Sequence, residues 1–138
     1  MRGTSLRTLL VALTLIAGDA SAAGGVVVIG DARLARLDAP MLEKIYLGRV
    51  IEVDGIRVTA VNASSGSAIR NRFLQTYIRK DDDSYTGYWS VRRYSGLGVP
   101  PRELSGSTEV IDFVKSTPGA IGYIDEADVP PGVSVLLK

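Results

Sequence analysis

A single stretch, residues 107–124, reads STEVIDFVKSTPGAIGYI and joins a predicted helix to a predicted strand. Apolar side chains within residues 110–114 recur at the spacing of one helix face, and Pro118-Gly119 ends the helix. Residues 120–124 then form a short apolar run, which is typical of a strand buried on both faces. A helix that leads straight into a buried strand indicates an α/β fold.

The same alternation begins near the start of the chain. Residues 26–29 read VVVI and are followed by Gly30, which predicts a first buried strand. A helix is predicted over residues 41–47, because Asp38-Ala39-Pro40 is typical of a helix start and Gly48 of a helix end.

A second strand is predicted at residues 57–61, after the tight turn that Asp54-Gly55 favours. The polar loop at residues 62–67 leads into a second helix. Ser67 is its predicted cap, and apolar side chains recur at helical spacing over residues 69–78.

The remaining elements complete the pattern. Ser84 is predicted to cap a short aromatic helix through residues 88–91, which a glycine- and proline-rich connector at residues 95–101 follows. A last short strand is predicted at residues 133–137. The alternation predicts an α/β layer sandwich, with helices on both faces of a mixed, mostly parallel sheet.

The first 22 residues are typical of a signal peptide. Arg2 and Arg7 precede the apolar run at residues 9–17, and Ala20-Ser21-Ala22 fits a cleavage site. The apolar run is too short to span a bilayer, which takes about 20 residues. We therefore expect cleavage after Ala22, a periplasmic domain at residues 23–138, and no stable membrane insertion after cleavage.

The charge balance disfavours two classes of partner. The formal net charge of the chain is +1, and the predicted domain has equal numbers of acidic and basic side chains. Nucleic acids and anionic membranes bind proteins with a dense basic face. We therefore expect neither as a partner.

The chain contains no cysteine and no histidine. Without cysteine the chain has no thiolate metal ligands. Without histidine it lacks the residue that is both the commonest general base and the commonest transition-metal ligand. The acidic run at residues 81–83 is more typical of a solvated turn than of a calcium loop. No motif pairs a serine with a lysine base, so we expect no catalytic residues, no metal and no cofactor.

Several segments resemble one known family. They are IYLGR at residues 45–49, VNASSGS at 61–67, WSVRRYSGLG at 89–98 and VKSTPGAIGY at 114–123. These segments resemble the phosphate-type ABC transporter substrate-binding proteins. The resemblance implies a periplasmic-binding-protein-like fold in a short, single-lobe form, because the family's usual first lobe has no counterpart here.

The candidate ligand site is the loop that opens the second helix. Ser64, Ser65, Gly66 and Ser67 lie where free backbone N–H groups and the positive end of the helix dipole favour an anion. The resemblance implies that the last three of these residues bind phosphate. The arginine that the family carries in this loop is matched most closely by Asn62, which offers an amide in place of a guanidinium.

Arg70 lies in the first turns of the same helix, where a positive charge is mildly unfavourable. A bound oxyanion would offset this charge, and so would a surface carboxylate or solvation. The serines and glycine of the loop also suit a simple cap and turn that binds nothing. Both interpretations of the loop stay open at the level of sequence.

The aromatic residues between 85 and 94 suit either a stacking surface or the core of the domain. Two functions follow from the sequence. The first is a periplasmic solute-binding-like domain that binds phosphate or another small oxyanion. The second is a ligand-free accessory or interaction module of the cell envelope, which binds an envelope protein or forms a homodimer.

Overall fold

A computed structural model of the protein describes residues 25–138 together with Gly3. Apart from Gly3, the predicted signal peptide lies outside the described residues. The strands are β1 (Val26–Gly30), β2 (Glu52–Val53), β3 (Ile56–Arg57), β4 (Thr59–Ala63), β5 (Arg102–Leu104), β6 (Ala120–Asp125) and β7 (Ser134–Leu137). The helices are α1 (Ala39–Tyr46), α2 (Ala68–Phe73), α3 (Asp82–Tyr94) and α4 (Ser107–Ser116).

Five of the strands form one sheet in the order β5-β4-β6-β1-β7, and β2 pairs with β3 in a separate hairpin. β4 runs parallel to both β5 and β6, whereas β1 is antiparallel to β6 and to β7. β1 is therefore the one reversed strand of this sheet. This topology confirms the predicted mixed, mostly parallel sheet.

Alternate residues of β1 divide the core into two layers. Val26 and Val28 pack into a large cluster with side chains of α1, α2 and α3. Val27 and Ile29 pack into a smaller cluster with side chains of α4. Helices thus cover both faces of the sheet, as predicted, and β1 is buried on both faces although its neighbours are antiparallel.

Two glycines end helices in the way that the sequence predicts. Asp38 caps α1 by accepting a hydrogen bond from the Met41 amide (2.9 Å). Gly48 ends α1 in the left-handed conformation (φ 70°), and its α-carbon lies against the Trp89 ring, so that a side chain there would collide with the indole. Gly119 follows α4 in the same conformation (φ 73°).

The second strand differs from its prediction. The structure has β4 at Thr59–Ala63, not at residues 57–61, because Asp54 and Gly55 both take positive φ and close the β2–β3 hairpin, which includes Arg57. Asn62 consequently belongs to a buried strand and not to the loop that follows it.

The third helix also differs. Asp81, and not Ser84, caps α3, because the Asp81 carboxylate accepts a hydrogen bond from the Ser84 amide (2.7 Å). A carboxylate is favoured at this position by the positive end of the helix dipole. The helix is 13 residues long.

Within residues 25–138, every helix falls short of the length and apolarity that a bilayer crossing requires.

The elements that the sequence did not predict include an edge strand and a change of helix type. β5 is a three-residue edge strand with no apolar alternation, so its sequence carries no strand signal. The second predicted helix changes from α2 into a π-helical turn at Leu74–Ile78, which ends at Arg79 in the left-handed conformation.

Gly119 allows a close approach between two backbone segments. We expect Gly119→Ala to destabilise the protein more than Gly132→Ala does, by about 1–3 kcal/mol. Both glycines have positive φ and share the cost of about 1–2 kcal/mol for a side chain in that conformation. Only at Gly119 would a new Cβ collide with the Arg57 carbonyl oxygen, whereas Gly132 has open space.

The free energy of unfolding of the two variants, measured by urea denaturation, checks this expectation. Equal losses in both variants would contradict the role of the close approach.

Candidate functional site

The loop between β4 and α2 directs its backbone amides at carboxylates of the same chain. The Ser65 amide donates to Glu103 Oε1 (3.1 Å), and the Gly66 amide donates to Asp82 Oδ2 (2.6 Å). Ser67 caps α2, as predicted, through a long hydrogen bond from the Arg70 amide (3.4 Å). Two side-chain carboxylates of the chain thus accept the hydrogen bonds of the loop amides that the sequence offers as a candidate anion site.

Arg70 connects these carboxylates. Its side chain is only 5% exposed. Nε and Nη2 both donate to Asp82 Oδ1 (3.1 and 2.8 Å), while Nη1 donates to Glu103 Oε1 (2.9 Å) and to the Ala63 carbonyl (3.3 Å). The positive charge near the start of α2 is therefore offset by carboxylates, which was one of the three alternatives that the sequence left open.

The two carboxylates differ in how firmly they are held. Asp82 is 17% exposed and also accepts a hydrogen bond from Thr86. Partial burial acts to raise its pKa, but hydrogen bonds from Gly66 and Arg70 outweigh burial and lower the pKa of Asp82 overall. Glu103 lies on the edge strand β5 with 49% of its side chain exposed. Glu103 is therefore the carboxylate that solvent reaches more easily.

Asn62 lies beneath the loop in a network of tyrosine hydroxyls. Its Nδ2 donates to the Tyr85 hydroxyl (3.1 Å), and its Oδ1 accepts from the Tyr123 hydroxyl (3.1 Å). The Tyr123 hydroxyl also accepts from the Ala63 amide (2.9 Å). Burial raises the pKa of both tyrosines. The Asn62 amide thus forms hydrogen bonds inside the fold with both tyrosine hydroxyls.

A cavity of about 210 Å³ lies beside the loop. Liquid water occupies about 30 Å³ per molecule, so the cavity has room for a group of several heavy atoms. Its wall combines polar groups from the loop and β5 with aromatic and proline side chains. The residues that matter for its chemistry are Asn62, Ser65, Arg70, Trp89, Arg93 and Glu103.

The structure divides the predicted site residues between different surfaces. Ser64 and Ser67 line a separate cavity of about 120 Å³. Gly66 and Ser65 border an open depression that also includes residues 81–83. Only three of the six predicted residues, Asn62, Ser65 and Arg70, therefore share the cavity beside the loop.

Most of the aromatic residues between 85 and 94 pack inside the fold. Tyr85 and Trp89 are buried in the core, Tyr88 is half-buried and Tyr94 is 95% exposed, so only one of the four is available as a free surface. Arg92 lies over the Tyr88 and Trp89 rings, 5.6 Å from each centroid. Among the residues that the structure describes, no acidic cluster is arranged to hold a metal ion.

Sequence reasoning missed the roles of Asp82 and Glu103. Both lie far along the chain from the loop, and neither belongs to a motif that predicts a contact with it. The acidic run at residues 81–83 was the only available signal for Asp82. Nothing local to Glu103 predicts its position, because β5 itself was not predicted.

Comparison with solved structures identifies the fold. The chain is similar to an ABC-type phosphate transport receptor from Vibrio cholerae (TM-score 0.54, 14% identity, 81% of this chain and 45% of that one). It is also similar to a putative phosphate ABC transporter substrate-binding protein with bound phosphate from Clostridium perfringens (TM-score 0.60, 20% identity, 81% of this chain and 44% of that one). No protein family and no curated protein matches the chain.

The chain therefore has the fold of a phosphate-type substrate-binding protein over part of that protein's length. It spans less than half of either solved relative. The resemblance stated from the sequence is confirmed for the fold, and a single-lobe form fits the coverage.

Asp82 should contribute to the acid stability of the protein. Its pKa is lowered in the folded state from the ordinary value of 3.8, so the unfolded chain binds more protons as the pH falls toward and below 3.8. The stabilisation is present above that pH and is lost as the pH falls through the folded pKa. We expect Asp82→Asn to reduce the dependence of the unfolding free energy on pH between about pH 5 and 2.

The measurement is urea denaturation across this pH range. Asp83→Asn is the matched control, because the Asp83 side chain makes no hydrogen bond or ion pair with any residue that the structure describes. Identical pH profiles for Asp82→Asn and the wild-type protein would contradict the expectation.

Proposed function

We propose that residues 23–138 form a periplasmic, non-enzymatic solute-binding-like domain that binds a small oxyanion such as phosphate at the loop between β4 and α2. Export through a signal peptide cleaved after Ala22 is part of this proposal. The fold supports it, because both solved relatives are described as phosphate transport or substrate-binding proteins.

The observation that carries the proposal is the position of Glu103. Its carboxylate accepts hydrogen bonds from the Ser65 amide and from Arg70 Nη1, which together form a set of donors suited to an oxyanion. Glu103 is half-exposed and lies at the edge of the sheet, so it can turn into solvent. An entering oxyanion takes its place at these donors, while Asp82 stays bound to Arg70.

The chemistry of the site suits binding better than catalysis. Its tyrosine hydroxyls are engaged in hydrogen bonds, and burial raises the pKa of Tyr85 and Tyr123, which keeps both protonated at neutral pH. Both solved relatives are described as transport or substrate-binding proteins, which is consistent with a non-enzymatic role.

Removing Glu103 should strengthen phosphate binding. We expect Glu103→Ala to bind phosphate roughly tenfold more tightly than the wild-type protein, which corresponds to about 1.4 kcal/mol. The reason is that the variant leaves the Ser65 amide and Arg70 Nη1 without their internal carboxylate. Isothermal titration with phosphate, and separately with sulfate, measures the change.

Glu52→Ala is the matched control, because it removes the same charge from an exposed position on β2. It should bind phosphate as the wild-type protein does. Absence of phosphate and sulfate binding in Glu103→Ala at millimolar concentration would sink the oxyanion proposal.

A second function, an interaction module of the cell envelope, is favoured by a different observation. Four large apolar side chains at the end of α3 and in the loop after it are between 62% and 95% exposed. We call this group the apolar tip; it consists of Val91, Tyr94, Leu97 and Val99. Exposed apolar side chains that follow one another closely in this way are a feature of many interaction sites.

The backbone holds the apolar tip in a defined conformation. Gly96 (φ 72°) ends α3, and the Leu97 amide donates to the Arg92 carbonyl (2.8 Å) in a Schellman motif. Such a motif commonly brings the residue after the glycine back onto the last turn of the helix. Leu97 nevertheless remains exposed, which is expected if another molecule covers it.

Site-specific photocrosslinking in cells tests the interaction role. A crosslinker at position 97 should give a discrete adduct, whereas one at the exposed position 52 on the β2–β3 hairpin should give none. The mass of the adduct identifies a second copy or another protein. Equal, diffuse labelling from both positions would argue against an interaction at the apolar tip.

A further inference from the structure

The cavity beside the loop between β4 and α2 is larger than a single inorganic oxyanion needs. Its volume is about 210 Å³, which is roughly seven times the volume that one molecule takes in liquid water. A phosphate ion held by the Ser65 amide and Arg70 is compact and occupies only the end of the cavity that these donors form. The rest of the cavity is therefore free for a further part of a ligand.

Helix α3 forms one wall of this cavity along its length. Asp82, Trp89 and Arg93 recur at the spacing of one helix face; the first binds Arg70, and the other two line the cavity. The Arg70 guanidinium lies over the Tyr85 ring, 5.3 Å from its centroid. Arg93 follows Tyr85 by two helical turns, which is about 12 Å along the helix axis. The two arginines therefore mark opposite ends of the cavity wall.

The two arginines differ in their partners. Arg70 is buried and donates to the carboxylates of Asp82 (2.8 Å) and Glu103 (2.9 Å). Arg93 lines the same cavity, but its side chain makes no hydrogen bond or ion pair with the residues that the structure describes. A guanidinium binds a carboxylate or a phosphate through paired, charge-assisted hydrogen bonds. Arg93 thus offers a second contact for an anionic group, separate from the donors at the loop.

The wall between the arginines is mainly apolar. The buried ring of Trp89 lines it, together with Pro100 and Pro101 of the connector before β5. The Ser90 hydroxyl in this stretch already donates to the Thr86 carbonyl (3.0 Å). Small-molecule sites typically combine an apolar lining of this kind with a few polar groups that fix the orientation of the ligand. A ligand that fills the cavity therefore has an apolar part between its polar ends.

We propose that this cavity binds an organic phosphate that carries a second acidic group. The phosphate takes the place of the Glu103 carboxylate at the Ser65 amide and Arg70. A flat apolar group lies against Trp89 and the two prolines, and the second acidic group binds Arg93. This inference rests on the proposed oxyanion function and names the class of ligand.

A series of ligands that grows along the cavity tests the inference: inorganic phosphate, phenyl phosphate and para-carboxyphenyl phosphate. Isothermal titration gives each affinity. Trp89 is the only tryptophan in the sequence, so a change in tryptophan fluorescence reports a ligand beside it.

We expect phenyl phosphate to bind roughly tenfold more tightly than phosphate, because its ring leaves water for the apolar wall. The added carboxylate should strengthen binding by roughly a further fivefold through Arg93. Glycerol phosphate is the control ligand, since the group beyond its phosphate is polar, and it should gain nothing over phosphate. The same series with Glu103→Ala keeps these differences measurable where the wild-type protein binds weakly.

A substitution at Arg93 tests the far end of the cavity. Arg93→Ala should lose the gain that the carboxylate adds and should bind phenyl phosphate nearly as the wild-type protein does. Arg36→Ala is the matched control, because it removes the same charge from an exposed position outside the cavity. It should keep the full gain. Circular dichroism confirms that each variant is folded.

Equal affinities for phosphate and phenyl phosphate would overturn the inference and leave the proposed oxyanion function standing. A carboxylate gain that persists in Arg93→Ala would also overturn it, as would tight binding of phenyl phosphate without a change in tryptophan fluorescence. If none of the ligands binds the wild-type protein or Glu103→Ala, the inference and the oxyanion function both fail.

Discussion

The site depends on one buried charge, the guanidinium of Arg70. A buried ion without partners costs several kcal/mol, so the surrounding segments must supply acceptors. Asp82 comes from α3, Glu103 from β5, and a carbonyl oxygen from the end of β4. The same two carboxylates accept the amides of the loop between β4 and α2. Arg70 therefore fixes the loop, α3 and the edge strand relative to one another.

If the loop binds an oxyanion as proposed, this arrangement predicts that the binding is weak. The loop and Arg70 present a set of donors that matches an anion, and Glu103 supplies an anion that is already attached to the chain. A tethered group acts at an effective concentration in the millimolar range or above, depending on its linker. A free oxyanion must compete with this internal carboxylate, so the apparent affinity is lower than the donors alone would give.

The fold was accessible from the sequence where the signals are local. Each of these signals caps or ends a helix through a contact or a backbone conformation within one helical turn of its own position. They are Asp38, Gly48, Ser67 and Gly119, and each lies where the sequence predicts a cap or a helix end. The contact between Glu103 and Ser65 joins residues 38 positions apart, on a strand with no apolar alternation. This contact arises from tertiary packing, which the local sequence pattern does not predict.

Helix α3 connects the two proposed activities, because successive residues of a helix point in directions about 100° apart. Asp82 faces inward and binds Arg70, whereas Asp83 faces solvent. A molecule that docked at the apolar tip would contact the helix that also carries Asp82, the carboxylate that holds the loop. A shift of α3 on such docking would move Asp82 and change the donors available to an anion.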